Sequence, residues 1–184
     1  MNYVVLFRGI NVGGKNVVKM TDLEALLFDL GLNEVKTYIQ SGNAVCKTVS
    51  SETDLLNKIR DGFIDRFGFE SSILVRSIEE IRILVEQLPI PAAEIAAAER
   101  ADPQIEHLYV YFLAKPPEQM QIDAVCKEYV GADVLQIGKR EIYLLCQQSI
   151  RKSKLAARAS KIFDSATVRN WKTVSALYDM MITL

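Results

Sequence analysis

The sequence is poor in the residues that build metal sites and disulfide frameworks. It holds one histidine, His107, and three cysteines, Cys46, Cys126 and Cys146, far apart and odd in number. No CxxC pair is present, so neither zinc ligation nor a stapled secreted scaffold is expected, whereas reduced thiols in the cytoplasm are. Long apolar runs are missing too. The first one, Tyr3 to Phe7, is stopped by Arg8 and is too short for a signal h-region or a membrane span, so no membrane association is expected. Neither charge sign dominates: 22 Lys+Arg stand against 23 Asp+Glu, a net charge of −1. With 184 residues, 49% of them hydrophobic, folding buries roughly 70% of the unfolded surface, and neither a metal nor a disulfide is needed for stability.

Local charge is uneven. Glu79, Glu80, Glu86, Glu94, Glu99, Asp102 and Glu106 make one acidic stretch, opposed only by Arg82 and Arg100. From Ile142 to Phe163 there is no acid, whereas Arg151, Lys152, Lys154, Arg158 and Lys161 are present. The first acid of the chain is Asp22, after Arg8, Lys15 and Lys19.

Hydrophobic periodicity orders the elements. Tyr3 to Phe7 reads as a central strand, and Thr21-x-x-Glu24 as a capping box opening a helix on Leu23, Leu26, Leu27 and Leu30 that Gly31 stops. Val35 to Ile39 and Ala44 to Val49 read as strands turning at Ser41-Gly42-Asn43. An amphipathic helix from Leu55 to Phe67 and a strand from Ile73 to Arg76 follow. Ser77-x-x-Glu80 caps a helix that Pro89 and Pro91 end, and Ala92 to Asp102 reads as a connection. Leu108 to Ala114, a helix carrying Ile122, Val125 and Tyr129, the pair Val134 to Ile137 and Glu141 to Cys146, a helix from about Ser153, and a last one through Trp171 complete the chain. The expected fold is α+β, with two ferredoxin-like (split βαβ) halves packed together: residues 1–90 with a trailing helix, a connector at 91–106, and 107–184 with a C-terminal helix. Split βαβ topology also puts Arg8 to Lys15 on the same sheet edge as Ser41 to Asn43.

Gly9-Ile-Asn-Val-Gly-Gly14-Lys15-Asn16 nearly matches the phosphate-binding pattern GxxxxGK[ST]. Asn16 stands where a hydroxyl should hold magnesium, and the helix starts late, so a nucleotidase P-loop is not expected. Two readings of the loop stay open: a turn in which glycines supply positive φ, or an anion cradle formed by backbone N–H groups with Arg8, Lys15 and Asn11. Ser41 lacks the GxSxG elbow of a nucleophile, and His107 reads as a satisfied strand-end imidazole. Arg151, Lys152 and Lys154 open a helix where the macrodipole favours acids, which suits either a bound anion or a solvated face. Asn170 is the expected N-cap of the last helix, with Arg169 and Lys172 beside it and Trp171 sealing core or interface. The strand Ala44 to Val49 carries no aromatic residue, against RNA recognition by a stacking sheet.

Arg8-Gly-Ile-Asn-Val-Gly-Gly14, Thr37-Tyr-Ile-Gln-Ser-Gly-Asn43 and Arg169-Asn-Trp-Lys-Thr-Val174 together resemble a bacterial family known as domain of unknown function 1697. The resemblance runs through the whole chain and implies two ferredoxin-like halves. It implies no reaction, cofactor or catalytic residue. The functional expectation is an anion site for a phosphate-bearing small molecule or nucleotide, made by Arg8, Gly9, Asn11, Gly13, Gly14, Lys15, Ser41, Asn43, Arg169, Asn170 and Lys172, with no metal. Nucleic-acid binding along the basic helix from Arg151 to Lys161 and a pure interaction or dimerisation module are the alternatives, and enzymatic activity and oligomeric state are left unassigned.

Overall fold

The computed structural model describes residues 1–184 and divides into two compact units, Met1–Val85 with Ser175–Leu184, and Glu86–Val174. The elements run β1 (Asn2–Arg8), α1 (Met20–Asp29), β2 (Asn33–Thr37), β3 (Asn43–Lys47), α2 (Glu52–Phe67), β4 (Ser72–Ser77), α3 (Ile78–Glu86), α4 (Ala92–Ala101), β5 (Leu108–Phe112), α5 (Gln119–Cys126), β6 (Val134–Ile137), β7 (Glu141–Leu145), α6 (Lys154–Ile162), β8 (Thr167–Asn170) and α7 (Trp171–Ile182). They form an α+β fold with two four-stranded antiparallel sheets, ordered β2-β3-β1-β4 and β6-β7-β5-β8. No helix is long and apolar enough to cross a membrane.

In the first unit, alternate residues of the central strand, Tyr3, Val5 and Phe7, meet Leu23, Leu26 and Leu27 of α1 and Leu55, Ile59 and Phe63 of α2 in one buried cluster. This is the period-2 face of a strand meeting the 3.6-period face of two helices. Phe63 anchors it, with its ring centroid 5.4 Å from Phe7, 4.7 Å from Phe67 and 5.3 Å from Phe69. The Ser51 hydroxyl caps α2 by accepting from Asp54 N, and Gly68 at φ 72° ends it in the left-handed conformation. The Ser77 box forms as expected: Ser77 N donates to Glu80 Oε2 at 3.0 Å and Glu80 N to Ser77 Oγ at 3.3 Å.

The box at Thr21 does not form. α1 starts at Met20 with Lys19 as its N-cap and no side-chain capping bond. Glu24 turns away because Thr37 offers it two donors, N at 2.8 Å and Oγ1 at 2.7 Å. A long-range pair outcompetes the local cap.

In the second unit Tyr111, Leu113, Ile142, Leu144 and Cys146 meet Ile122, Val125, Leu155 and Ala159. The stretch 91–106 contains a helix, α4, and belongs to this unit, while the last residues of α7 belong to the first. Strand β8 escapes the sequence reading altogether, since Thr167-Val-Arg-Asn170 carries little apolar signal and is a strand through its ladder with Tyr109 to Phe112.

One arrangement occurs in both units. Arg76 pairs with Val4 of β1 and its Nη1 donates to Val75 O at 2.9 Å; Arg169 pairs with Val110 of β5 and its Nη1 donates to Val168 O at 2.9 Å. Each arginine is followed by a capping residue and a helix, Ser77 before α3 and Asn170 before α7, where Asn170 Oδ1 accepts from Thr173 N at 2.9 Å. The units therefore repeat at residue level where plain sequence shows no repeat.

Of the free thiols, Cys126 is exposed whereas Cys46 and Cys146 are fully buried. Burial raises the buried pair, Cys46 to about 12 and Cys146 to about 11. Iodoacetamide at pH 8 is accordingly expected to label one thiol of the native chain quickly and the other two only on unfolding. Equal labelling rates at two or three thiols would contradict this burial.

Candidate functional site

The β1–α1 connection is a miniature hairpin. Lys15 N donates to Val12 O at 3.0 Å and Asn11 N to Asn16 O at 3.0 Å, with Val12 and Lys15 bridged antiparallel. Its two turn residues, Gly13 and Gly14, have φ of 58° and 74°, the positive pair of a type I′ turn. A Cβ at either would meet nothing within 4 Å, so glycine serves conformation there and not clearance. The phosphate-loop spacing is thus a Gly-Gly turn on a short ribbon.

Asparagines lock that ribbon in place. Asn11, itself at φ 55°, donates through Nδ2 to Val18 O and to Gln40 O, both at 2.9 Å, and accepts from Val18 N at 2.8 Å. Asn16 Nδ2 donates to Gly9 O at 3.0 Å. Through Gln40 the ribbon is tied to the β2–β3 turn, so Arg8 to Lys15 and Ser41 to Asn43 lie on one edge of the first sheet. Gly42 completes the junction. Phe7 N donates to Gly42 O at 2.8 Å, and a Cβ on Gly42 would stand 2.9 Å from Phe7 Cβ and 2.7 Å from Ile10 Cδ1.

Asn43 is fully buried, and its Nδ2 donates to Tyr38 O at 3.1 Å and Ser41 Oγ at 2.9 Å. Ser41 thus helps hold the turn. Ile39, which the sequence reading put at the end of a strand, sits at φ 47° and is half exposed. A β-branched residue with positive φ is strained, and the turn around it imposes that strain.

The cations on this edge are Arg8, Lys15 and Lys19, all exposed. None forms an ion pair or a side-chain hydrogen bond, although Arg8 O accepts from Ser71 Oγ at 2.9 Å. The N–H groups of Gly13 and Gly14 also go to no protein acceptor. Lys19 joins the site because α1 begins on it, which the expected cap at Thr21 hid.

The other expected site residues belong to the second unit. Burial lowers the Arg169 guanidinium to about 10, still charged at neutral pH. Asn170 spends its side chain on the α7 cap, and Lys172 is exposed. His107 is buried, its Nδ1 2.7 Å from Cys146 O and its Nε2 2.9 Å from Asp102 O, so whichever ring nitrogen carries the proton has a backbone carbonyl to donate to.

The charge conflict at the start of α6 is settled inside the chain. Asp133 accepts from the Ser153 hydroxyl at 2.7 Å and from Gln147 N at 2.8 Å, while Ser153 Oγ accepts from Ala156 N. An internal carboxylate therefore faces the positive helix end between Lys152 and Lys154. Along the same helix Arg158 Nη1 donates to Lys127 O just beyond α5.

The architecture is that of an α+β protein built on two four-stranded antiparallel sheets. Residues 1–143 match the model of the family described as Protein of unknown function (DUF1697), and the chain belongs to that family. Among solved structures it is similar to a conserved bacterial protein from Streptococcus pneumoniae, at 28% identity and a TM-score of 0.76 over 98% of each chain. No curated protein matches it.

Proposed function

We propose that the first unit binds a phosphate-bearing small molecule or nucleotide on the edge formed by the Gly13-Gly14 ribbon, and that both units are ferredoxin-like halves. The strand orders β2-β3-β1-β4 and β6-β7-β5-β8, each traced by a strand-helix-strand-strand-helix-strand path, support the second part. The observation that carries the first is that Arg8, Lys15 and Lys19 precede every acid of the chain and none is paired, beside two uncommitted backbone N–H groups. A phosphate takes up both kinds of donor at once. Asn11 and Asn43 act as braces for this edge. The reading keeps the protein in the cytoplasm, with three free thiols in support.

Thermal unfolding against AMP, ribose 5-phosphate and inorganic phosphate tests it, with adenosine and ribose as unphosphorylated controls. A ligand at 100 times its Kd is expected to stabilise by about 2.7 kcal/mol, raising the Tm by roughly 5–10 °C, and Arg8→Ala or Lys15→Ala to remove most of that shift. No shift from any phosphorylated compound, or a shift that both variants keep, would overturn the assignment.

A further inference from the structure

A second pocket lies wholly within the second unit and takes no part in the phosphate reading. It is a cleft of about 320 Å³ between the last turn of α4, the segment leading into β5 and the start of α7. Ile105, Leu108 and the indole of Trp171 give it apolar walls, while Glu99, Glu106 and Lys172 bring both signs of charge to it. His107 lines one wall, its ring set between Cys146 O and Asp102 O with either nitrogen in reach of a carbonyl acceptor.

The charges do not neutralise one another. Lys172 forms no ion pair with Glu99 or Glu106, and neither carboxylate has another cationic partner. The Trp171 indole N–H likewise donates to no protein acceptor. A cleft of this size suits a small molecule. A ligand of one sign would satisfy one wall and leave the opposite charge partly desolvated without a partner, which is costly. A ligand carrying both signs, with an apolar body between the indole and Ile105, meets every wall.

We propose that this cleft binds a free α-amino acid with an apolar side chain, its ammonium group received by Glu99 and Glu106 and its carboxylate by Lys172. The proposal is independent of the phosphate site, because its residues, its ligand class and its reporter are all different. Trp171 is the sole tryptophan of the chain, so its emission reads occupancy of this cleft directly.

The test titrates the full chain with L-leucine, with isoamylamine as the analogue lacking the carboxylate, and with 4-methylpentanoate as the one lacking the ammonium. L-leucine is expected to change the emission saturably below about 10 mM, and each analogue to bind about ten-fold more weakly or worse, as loss of a charge-assisted hydrogen bond requires. Lys172→Ala should weaken L-leucine by about the same factor while leaving isoamylamine unchanged. Glu106→Gln should weaken L-leucine and isoamylamine but not 4-methylpentanoate, with Glu99→Gln as the second carboxylate variant if the first lowers the melting temperature. No saturable response to L-leucine, an analogue that binds as tightly, or variants indistinguishable from the parent would each overturn it.

Discussion

Gly42→Ala is expected to destabilise the chain by about 2–5 kcal/mol, combining the steric cost of a left-handed alanine with that of an overpacked site. Gly42 has φ 76° and is buried, and the added Cβ would meet Phe7 Cβ at 2.9 Å and Ile10 Cγ1 at 2.9 Å. Phe7 has nowhere to retreat: its strand is laddered to β3 and β4, and its ring packs on Phe63. Gly13→Ala is the control, because it shares the positive φ but has open space around it. It should lose only the conformational part, about 1–2 kcal/mol. Urea unfolding of the two variants decides the matter, and equal losses would show that the approach of the turn to β1 is not what demands glycine.

Alkaline pH is expected to lower the stability of the protein progressively above about pH 9, by about 5 kcal/mol at pH 11, a large part of the about 5–15 kcal/mol typical of a single domain. Burial raises Cys46 from the usual 9.0 to about 12 and Cys146 to about 11. Tyr143 also rises, through burial first and then the neighbouring Glu141. A raised acid keeps its proton in the folded chain while the unfolded chain releases it. The stability these groups contribute is therefore complete below about pH 9 and declines as pH climbs, by about 1.4 kcal/mol per pH unit for each group. Over their full ranges the two thiols account for about 4 and about 3 kcal/mol. Arg169 acts with the opposite sign, since a base lowered to about 10 favours the folded state as it loses its proton, and from about pH 10 upward it offsets the loss from one of these groups. Unfolding free energies measured from pH 8 to 11 should show the decline, and Cys46→Ala should reduce its slope by about one proton. A flat profile across that interval would contradict the burial of these groups.

The sequence reading succeeded where a residue's fate depends on its neighbours. Tyr3 to Phe7 shows as a strand because every residue is apolar, and Ser77 caps as written because its partner, Glu80 N, is three residues away. The glycine ribbon and the Ser41–Asn43 turn likewise meet as element order alone suggests, through the bond from Asn11 to Gln40 O. Residues settled by distant partners were misread. Glu24 was assigned to Thr21 and serves Thr37, thirteen residues on; the start of α6 has a carboxylate of its own in Asp133, twenty residues before Ser153, which neither reading of the cations there, bound anion or solvated face, contained. Gly13 and Gly14 do take the positive φ that one of the two readings of their loop requires, because a Gly-Gly turn is settled by its own two residues.

The membership of α7 bears on how the chain folds as it is made. Ser175–Leu184 completes the first unit, and Asn2 Nδ2, near the other end of the sequence, donates to Met181 O at 2.8 Å. Translation must therefore add all of Glu86–Val174 before that segment exists, a delay of roughly 5–20 s at ordinary elongation rates. The second unit is continuous in sequence, and its last residue, Val174, is made directly before the segment the first unit lacks. During that interval the earlier unit waits without its last segment, so being made first does not mean being completed first.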